Sequence, residues 1–309
     1  MDLRIITGNS NTALAEEIAK HAGVNLTKRT IHRFKDGEIY VKIDESVRGE
    51  DVFVIQSVCH GVNDSLMELL IMIDALKRAS AGRITAVIAY YGYARQDRKT
   101  EAREPITAKL VADMITIAGA NRVLAVDLHV QQIQGFFNIP VDEISPVPLF
   151  GKYFLEKNIK DPVIVAPDAG GLKRARFLAK ILRCPIAIID KRRTMHNDAD
   201  VMNIVGDIEG KTAIIIDDII DTGNSIAKAC NAVAEKANEV YLCATHPIFS
   251  NGCEERLIAT KAKEIITTNT IPLVHNGHEK IKIISVARLL SDVIHNINDN
   301  RSVSELFKV

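Results

Sequence analysis

The sequence predicts an α/β protein of two domains, each a mostly parallel β-sheet flanked by helices. Three observations predict it. Short β-branched runs that are apolar on both faces recur along the chain, the pattern of strands buried within parallel sheets. Segments with a helical period separate those runs. The length, 309 residues, is enough for two cores at about 100–200 residues per domain.

The elements follow in order. Strands are expected at 3–7, 51–56, 84–90, 122–127, 163–166, 186–189, 213–216, 240–244 and 264–267. Each is a β-branched apolar run bounded by turn residues. Helices are expected at 65–79, 106–118, 172–182 and 225–237. In the first, Leu66, Leu69, Leu70 and Ile73 share one face. The stretch 139–149 holds Pro140, Pro146 and Pro148 and has no period. The domain boundary is placed there, giving domains 1–145 and 146–309. Each half repeats a strand that ends in acids, at 123–129 and 213–218, which hints at two related domains.

Composition excludes several function classes. Lys+Arg and Asp+Glu both total 39, so the basic surplus that a phosphate backbone demands is missing and nucleic acid is not the expected partner. Trp is absent and aromatics are 5%, a poor basis for base-stacking platforms. No apolar stretch approaches the roughly 18 residues of a membrane span, and the N-terminus does not read as a secretion signal. Cys59, Cys184, Cys230, Cys243 and Cys253 are scattered with no CxxC pair. That pattern suits reduced thiols in a cytoplasmic protein and supplies no zinc site.

Ligands of open parallel sheets bind beyond the carboxyl ends of the strands. The sharpest motif there is 214–220 followed by Asp221-Thr222-Gly223-Asn224-Ser225 and a helix. The strand delivers Asp217 and Asp218. The turn supplies glycine, hydroxyls and the N–H groups of a helix start, which make an anion cradle. Two carboxylates beside such a cradle suit a ligand with hydroxyls at one end and a phosphate at the other. The same residues also suit an acidic strand end before an ordinary capped helix. Upstream, 206–212 imitates a phosphate-binding Walker motif. It has one residue too few between its glycines and precedes a strand, so it is read as a turn.

The acid-pair loop resembles the phosphoribosyl-binding motif of type I phosphoribosyltransferases. Further stretches narrow the resemblance to the ribose-phosphate diphosphokinase family, also called phosphoribosyl pyrophosphate synthetases. They are Tyr91-Gly-Tyr-Ala-Arg-Gln-Asp-Arg-Lys99, Asp127-Leu-His-Val-Gln-Gln-Ile-Gln-Gly-Phe-Phe137, Pro167-Asp-Ala-Gly-Gly-Leu-Lys-Arg-Ala175 and Asp190-Lys-Arg-Arg193. Matches at 46–51, 63–74 and 302–307 extend it over essentially the whole chain. The resemblance implies two domains of phosphoribosyltransferase type. It also implies transfer of the β,γ-diphosphoryl group of ATP to the 1-hydroxyl of ribose 5-phosphate, giving phosphoribosyl pyrophosphate and AMP for nucleotide biosynthesis.

Residue roles follow from the resemblance. Arg95, Gln96, Asp97 and Lys99 would bind ATP, Asp97 just ahead of a flexible catalytic flap over about 98–104 and Lys99 within it. Lys191 and Arg193, on a second flap, would be the catalytic cations that neutralise the transferring phosphoryl group. Removing such a cation costs on the order of 10³–10⁵ in rate. His129 and Asp168 would be ligands of Mg²⁺, which arrives mainly as MgATP. Phe34, Asp36 and Glu38 would read adenine from a hairpin that reaches a neighbouring subunit, in an assembly that is usually a hexamer. Asp217, Asp218, Asp221, Thr222, Gly223, Asn224 and Ser225 would hold ribose 5-phosphate. Ser46, Arg48, Ser80, Arg103, Asp142, Ser302, Ser304 and Phe307 resemble a regulatory site for phosphate and ADP. Its use would bring the tail from about 291 back to the first domain.

Departures are few. Many relatives have glycine at the position of Asn224 and threonine at that of Ser225. Asn tolerates positive φ and Ser keeps the hydroxyl, so phosphate binding is expected to persist. Ala89 stands where proline is frequent, and 250–255 departs from a Ser-Gly-rich pattern. Two other classes are weighed: a non-catalytic nucleotide-binding regulatory homologue, and a phosphoribosyltransferase that consumes the activated sugar. The first would typically lose flap or metal residues, and all are present. The second would leave the ATP-side motifs without a job.

Overall fold

The structure is a computed structural model and describes residues 1–192, 201–273 and 277–307. The chain forms two compact units. One comprises Met1–Ser145, Thr270–Pro272 and Ser285–Val309; the other comprises Pro146–Asn269 and Leu273–Ile284.

The first unit starts with β1 (Leu3–Thr7), α1 (Thr12–Ala22), the hairpin β2 (Arg29–Arg33) and β3 (Ile39–Ile43), β4 (Asp51–Gln56) and α2 (Val62–Arg78). It continues with β5 (Arg83–Ile88), α3 (Thr107–Ala118), β6 (Arg122–Val126) and β7 (Val141–Ile144). Its main sheet is all parallel in the order β1-β4-β5-β6-β7. Every residue of β4 is buried, as a central strand covered on both faces requires. Leu66, Leu69 and Ile73 of α2 are buried in the core over this sheet, and Leu70 packs at its edge.

The second unit holds α4 (Val147–Lys157), β8 (Pro162–Ala166), α5 (Leu172–Leu182), β9 (Ile186–Arg192), β10 (Val201–Val205) and β11 (Thr212–Ile220). It goes on through α6 (Asn224–Val233), β12 (Glu239–Pro247), α7 (Cys253–Ile258), β13 (Glu264–Thr268) and β14 (Ile281–Ile284). The sheet order is β10-β9-β8-β11-β12-β13-β14, parallel except for the β9–β10 pair. From β8 the chain winds one way to β9, then returns to β11 and winds the other way. The strand order therefore reverses between β8 and β11, which is where open α/β sheets place their ligands.

The α/β class and its parallel sheets are as expected. Some local readings need correction. Most of the segment 139–149 is regular despite its prolines: β7 pairs with β6, and Pro146 and Pro148 sit at the start of α4, where proline is tolerated. The strand expected at 213–216 runs on to Ile220, and the helix expected at 225–237 ends at Val233. The Walker-like 206–212 is a turn leading into β11, as read. Gly206 and Gly210 both have positive φ there.

The chain closes on the first unit. Helix α8 (Ala287–Asn298) packs on α1. Arg83 binds fully buried Asp51 through two guanidinium nitrogens and donates to the carbonyl of Ile297 at 2.8 Å. Asn298 Nδ2 donates to the same carboxylate at 3.0 Å. Among the described residues no helix is long and apolar enough to cross a membrane.

Candidate functional site

In the first unit, chemistry gathers beyond the carboxyl end of β5. A cleft of about 500 Å³ is lined by Gly61, Val62, Asn63, Asp64, Tyr90, Gly92, Tyr93, Arg95 and Gln96. Helix α2 opens onto it with its N-terminus, a favourable end for anions. The chain turns sharply after β5 because Gly92 lies against the backbone of Val58; a Cβ there would come within 2.6 Å of the Val58 oxygen. Buried Tyr91 donates to the carbonyl of Ala108 at 2.9 Å, and Tyr93 donates to Asn63 Oδ1. Gln96 is held from α3: Thr107 Oγ1 donates to its side chain at 2.6 Å and Ala108 N to its carbonyl at 3.1 Å. Arg95, Gln96 and Lys99 are exposed, and Asp97 is half-buried.

The following turn closes on itself. Thr100 N, Thr100 Oγ1 and Glu101 N all donate to Glu104 Oε2 at 2.7–2.9 Å. These bonds, the Thr100 hydroxyl first, hold the Glu104 carboxyl below its ordinary range.

The hairpin carries Phe34 with half its surface exposed. His32 and Tyr40 flank its ring edge-on, with centroids at 5.5 and 5.8 Å. Asp36 Oδ1 accepts from Glu38 N at 3.1 Å, so Asp36 also builds the turn. Arg33 pairs with Asp64 at 3.2 Å, which ties the hairpin to the cleft.

In the second unit, Asp217 and Asp218 lie just past the middle of β11. Beyond Ile215 that strand keeps only β12 as partner. The open flank faces the loop after β8: a Cβ on Gly171 would touch Pro167 at 3.2 Å and come within 3.7 Å of the Ile216 carbonyl. Asp168, in that loop, is exposed and accepts from Gly171 N at 3.0 Å. The Arg174 guanidinium reaches to 3.9 Å from Asp218. Burial and the adjacent Asp218 carboxylate push the Asp217 carboxyl well above its ordinary range, while Arg174 opposes them.

Strand β11 then turns through Asp221, Thr222 and Gly223 into α6. Gly223 has φ +77°, and a Cβ there would come within 2.8 Å of Cys253 Sγ. Positive φ belongs to Gly223, not to Asn224, which is the first residue of α6. Asn224 and Ser225 are exposed at the helix start.

Sequence comparison supplies the context. A family model described as the N-terminal domain of ribose phosphate pyrophosphokinase matches residues 3–119, and one described as the phosphoribosyl synthetase-associated domain matches 193–308. The chain is 55% identical to a ribose-phosphate pyrophosphokinase of Bacillus subtilis, over 99% of this chain and 97% of that one. It is 54% identical to one from Fusobacterium nucleatum, over 99% and 98%. The chain belongs to the ribose-phosphate pyrophosphokinase family. A crystal structure of phosphoribosylpyrophosphate synthetase from Mycobacterium smegmatis superposes with a TM-score of 0.91 at 43% identity, covering 97% of this chain and 100% of that chain.

The remaining residues expected from this family fall as follows. His129 is exposed, two residues past Asp127 at the end of β6. Among the described residues no group of three or more His, Cys, Asp and Glu converges to hold a metal. Lys191 stands on β9 in register with Met202 of β10; Arg193 lies outside the described residues. In the first unit, Arg48 bridges to Ala81 and Gly49 N donates to the Ser80 carbonyl at 2.9 Å, which brings the Ser46–Arg48 turn beside Ser80. Ser302 and Ser304 meet at 2.8 Å. Asp142 is bound by Arg122, Arg103 is exposed at positive φ, and Phe307 ends the last 3₁₀ turn.

Three contributors lie inside the matched stretches 63–74 and 167–175 but carry no assigned role from the sequence. Asn63 and Asp64 line the cleft because α2 begins there, and Arg174 reaches the acid pair from the first turn of α5. The Gly170-Gly171 pair ahead of Arg174 is the signal that could have flagged it.

Proposed function

We propose that this chain is a ribose-phosphate diphosphokinase that transfers the β,γ-diphosphoryl group of MgATP to the 1-hydroxyl of ribose 5-phosphate. The observation that carries the reading is the acid pair and Gly223 turn at the reversal of the second sheet, in a chain that also holds a helix-ended cleft lined by Arg95 and Gln96. A phosphoribosyltransferase would need the first feature and have no use for the second.

Each residue has a task its surroundings suit. The N–H groups at the start of α6, with Thr222 and Ser225, take the 5-phosphate. Asp217 and Asp218 accept hydrogen bonds from the ribose hydroxyls. Hydroxyl donors favour the ionised carboxylate, so sugar binding lowers the raised affinity of Asp217 for its proton. Arg95 and Gln96 bind the nucleotide at the cleft with Asp97 and Lys99, and Phe34 stacks on adenine with Asp36 and Glu38 nearby. His129 and Asp168 would hold Mg²⁺, which supplies charge neutralisation on the phosphates. Lys191 and Arg193 stabilise charge on the transferring group, where phosphoryl transfer takes most of its rate.

The hairpin completes the nucleotide site of a neighbouring subunit in a homo-oligomer, a hexamer by the family's usual habit. The cluster of Ser46, Arg48 and Ser80, with Arg103, Asp142, Ser302, Ser304 and Phe307, takes phosphate or ADP as regulator. The setting is cytoplasmic, and each half of the chain, 1–145 and 146–309, forms one domain with the tail returned to the first.

An AMP-release assay with ATP, Mg²⁺ and phosphate tests the function. AMP should form only when ribose 5-phosphate is added. AMP without sugar, or none with it, overturns the reading.

A further inference from the structure

The sugar-phosphate turn is held residue by residue from one short stretch, 248–257. Ile248 N and Phe249 N both donate to the Ile220 carbonyl, at 2.9 and 3.2 Å. Ser250 N donates to the Asp221 carbonyl at 3.1 Å, and the Ser250 hydroxyl donates to Asp221 Oδ1. Arg256 Nη1 donates to the Thr222 carbonyl. Cys253 and Leu257 fill the space where a Gly223 side chain would be. Four consecutive residues of the turn are thus each fixed from the same side.

The stretch is itself in an uncommon conformation. Phe249, Asn251 and Gly252 have φ of +50°, +50° and +70°. Positive φ is rare for a bulky residue such as Phe and persists only where the surroundings over-determine it. Here Phe249 packs against the apolar core beneath the turn.

We infer that Ser250 and Arg256 are positioning residues for sugar binding, setting Asp221 and the Thr222 carbonyl before substrate arrives. The inference rests on the reading that 221–225 binds ribose 5-phosphate. Ser250 orients the Asp221 carboxylate. Arg256 keeps the Thr222 peptide turned so that its oxygen points away from the anion and the following N–H groups point toward it. Neither touches substrate. A turn ordered in the free protein spends none of its binding energy on ordering, so loss of either contact weakens sugar affinity and spares nucleotide affinity.

The test measures KM for both substrates, kcat and thermal midpoint in Ser250→Ala, Ser250→Thr and Arg256→Met, with Thr222→Ala as the control for the underlying reading. Loss of one such hydrogen bond corresponds to about a three- to tenfold change in affinity. Ser250→Ala and Arg256→Met should each raise KM for ribose 5-phosphate about that much. KM for ATP should stay within about twofold and the midpoint should hardly move, and Ser250→Thr should restore the sugar KM. If Thr222→Ala raises the sugar KM and the two variants do not, the positioning role is refuted and the sugar site stands. If both substrates weaken together with a falling midpoint, the residues are merely structural and the inference fails. If Thr222→Ala leaves sugar binding intact, the site reading fails and takes the inference with it.

Discussion

Replacing Gly223 by alanine perturbs the site through two separable costs. The residue sits at φ +77°, where an L side chain costs about 1–2 kcal/mol. Its Cβ would lie 2.8 Å from Cys253 Sγ and 3.4 Å from Leu257 Cδ2, so the buried sulfur must shift, an overpacking cost of about 1–3 kcal/mol. The sum is about 2–5 kcal/mol of lost stability, a large share of a domain's margin. Urea unfolding of Gly223→Ala, Cys253→Ala and the double variant separates the costs. Alanine at 253 removes the sulfur, so the double variant should recover the overpacking part and keep the backbone part. The coupling energy should be about 1–3 kcal/mol, as for residues in contact. Gly223→Ala should also raise KM for ribose 5-phosphate and leave that for ATP near the wild-type value. A single-variant cost under about 0.5 kcal/mol, or additivity of the two changes, would refute the geometry of the turn.

Three further outcomes are expected. Lys191→Ala should lower kcat by on the order of 10³ or more with little change in ribose 5-phosphate affinity; steady-state kinetics with intact turnover and lost sugar binding would contradict its role. Asp217 has a folded pKa raised by burial and by Asp218, so the folded state binds its proton more tightly than the unfolded chain and the group opposes folding above that pKa. Asp217→Asn should therefore be more stable than wild type at pH 8, with the gain shrinking as pH falls and vanishing near the ordinary carboxylate range of about 4; denaturation midpoints showing a pH-independent difference would contradict this. Arg83→Met leaves the fully buried Asp51 carboxylate without its ion pair and should cost about 3–5 kcal/mol. A cost below about 1 kcal/mol, measured by denaturant unfolding, would show that the pair does not anchor α8.

The sequence made the buried framework readable where periodicity and turn signals agreed. Helix α5 was legible to the residue, as were β1 and β4, because an apolar run stopped at a clear boundary. Elsewhere two signals conflicted. Prolines at 146 and 148 read as a break, though the first helical turn has no need of their missing N–H groups. Strand β14 is a short edge strand with two exposed residues, and β10 pairs antiparallel to β9 at the far edge, so neither carries the doubly apolar mark of a central strand. Of the site, the residues in linear motifs could be read: the acid pair, the turn after it and the cationic stretch after β5. Ser250 and Arg256 could not, because their meaning lies in proximity across 29 and 34 positions of chain; Arg174 stands in a linear motif, but its partner Asp218 lies far along the chain. The positive φ expected to suit Asn224 belongs to its neighbour because Gly223 lies directly against α7.

The central claim is which bond of the nucleotide breaks and where the released group goes. Phosphorus NMR of the products from ATP, ribose 5-phosphate and Mg²⁺ reads both at once. The account predicts AMP together with a diphosphate ester on the anomeric carbon of the pentose phosphate. ADP with a singly phosphorylated sugar, or orthophosphate with unaltered sugar, would contradict it.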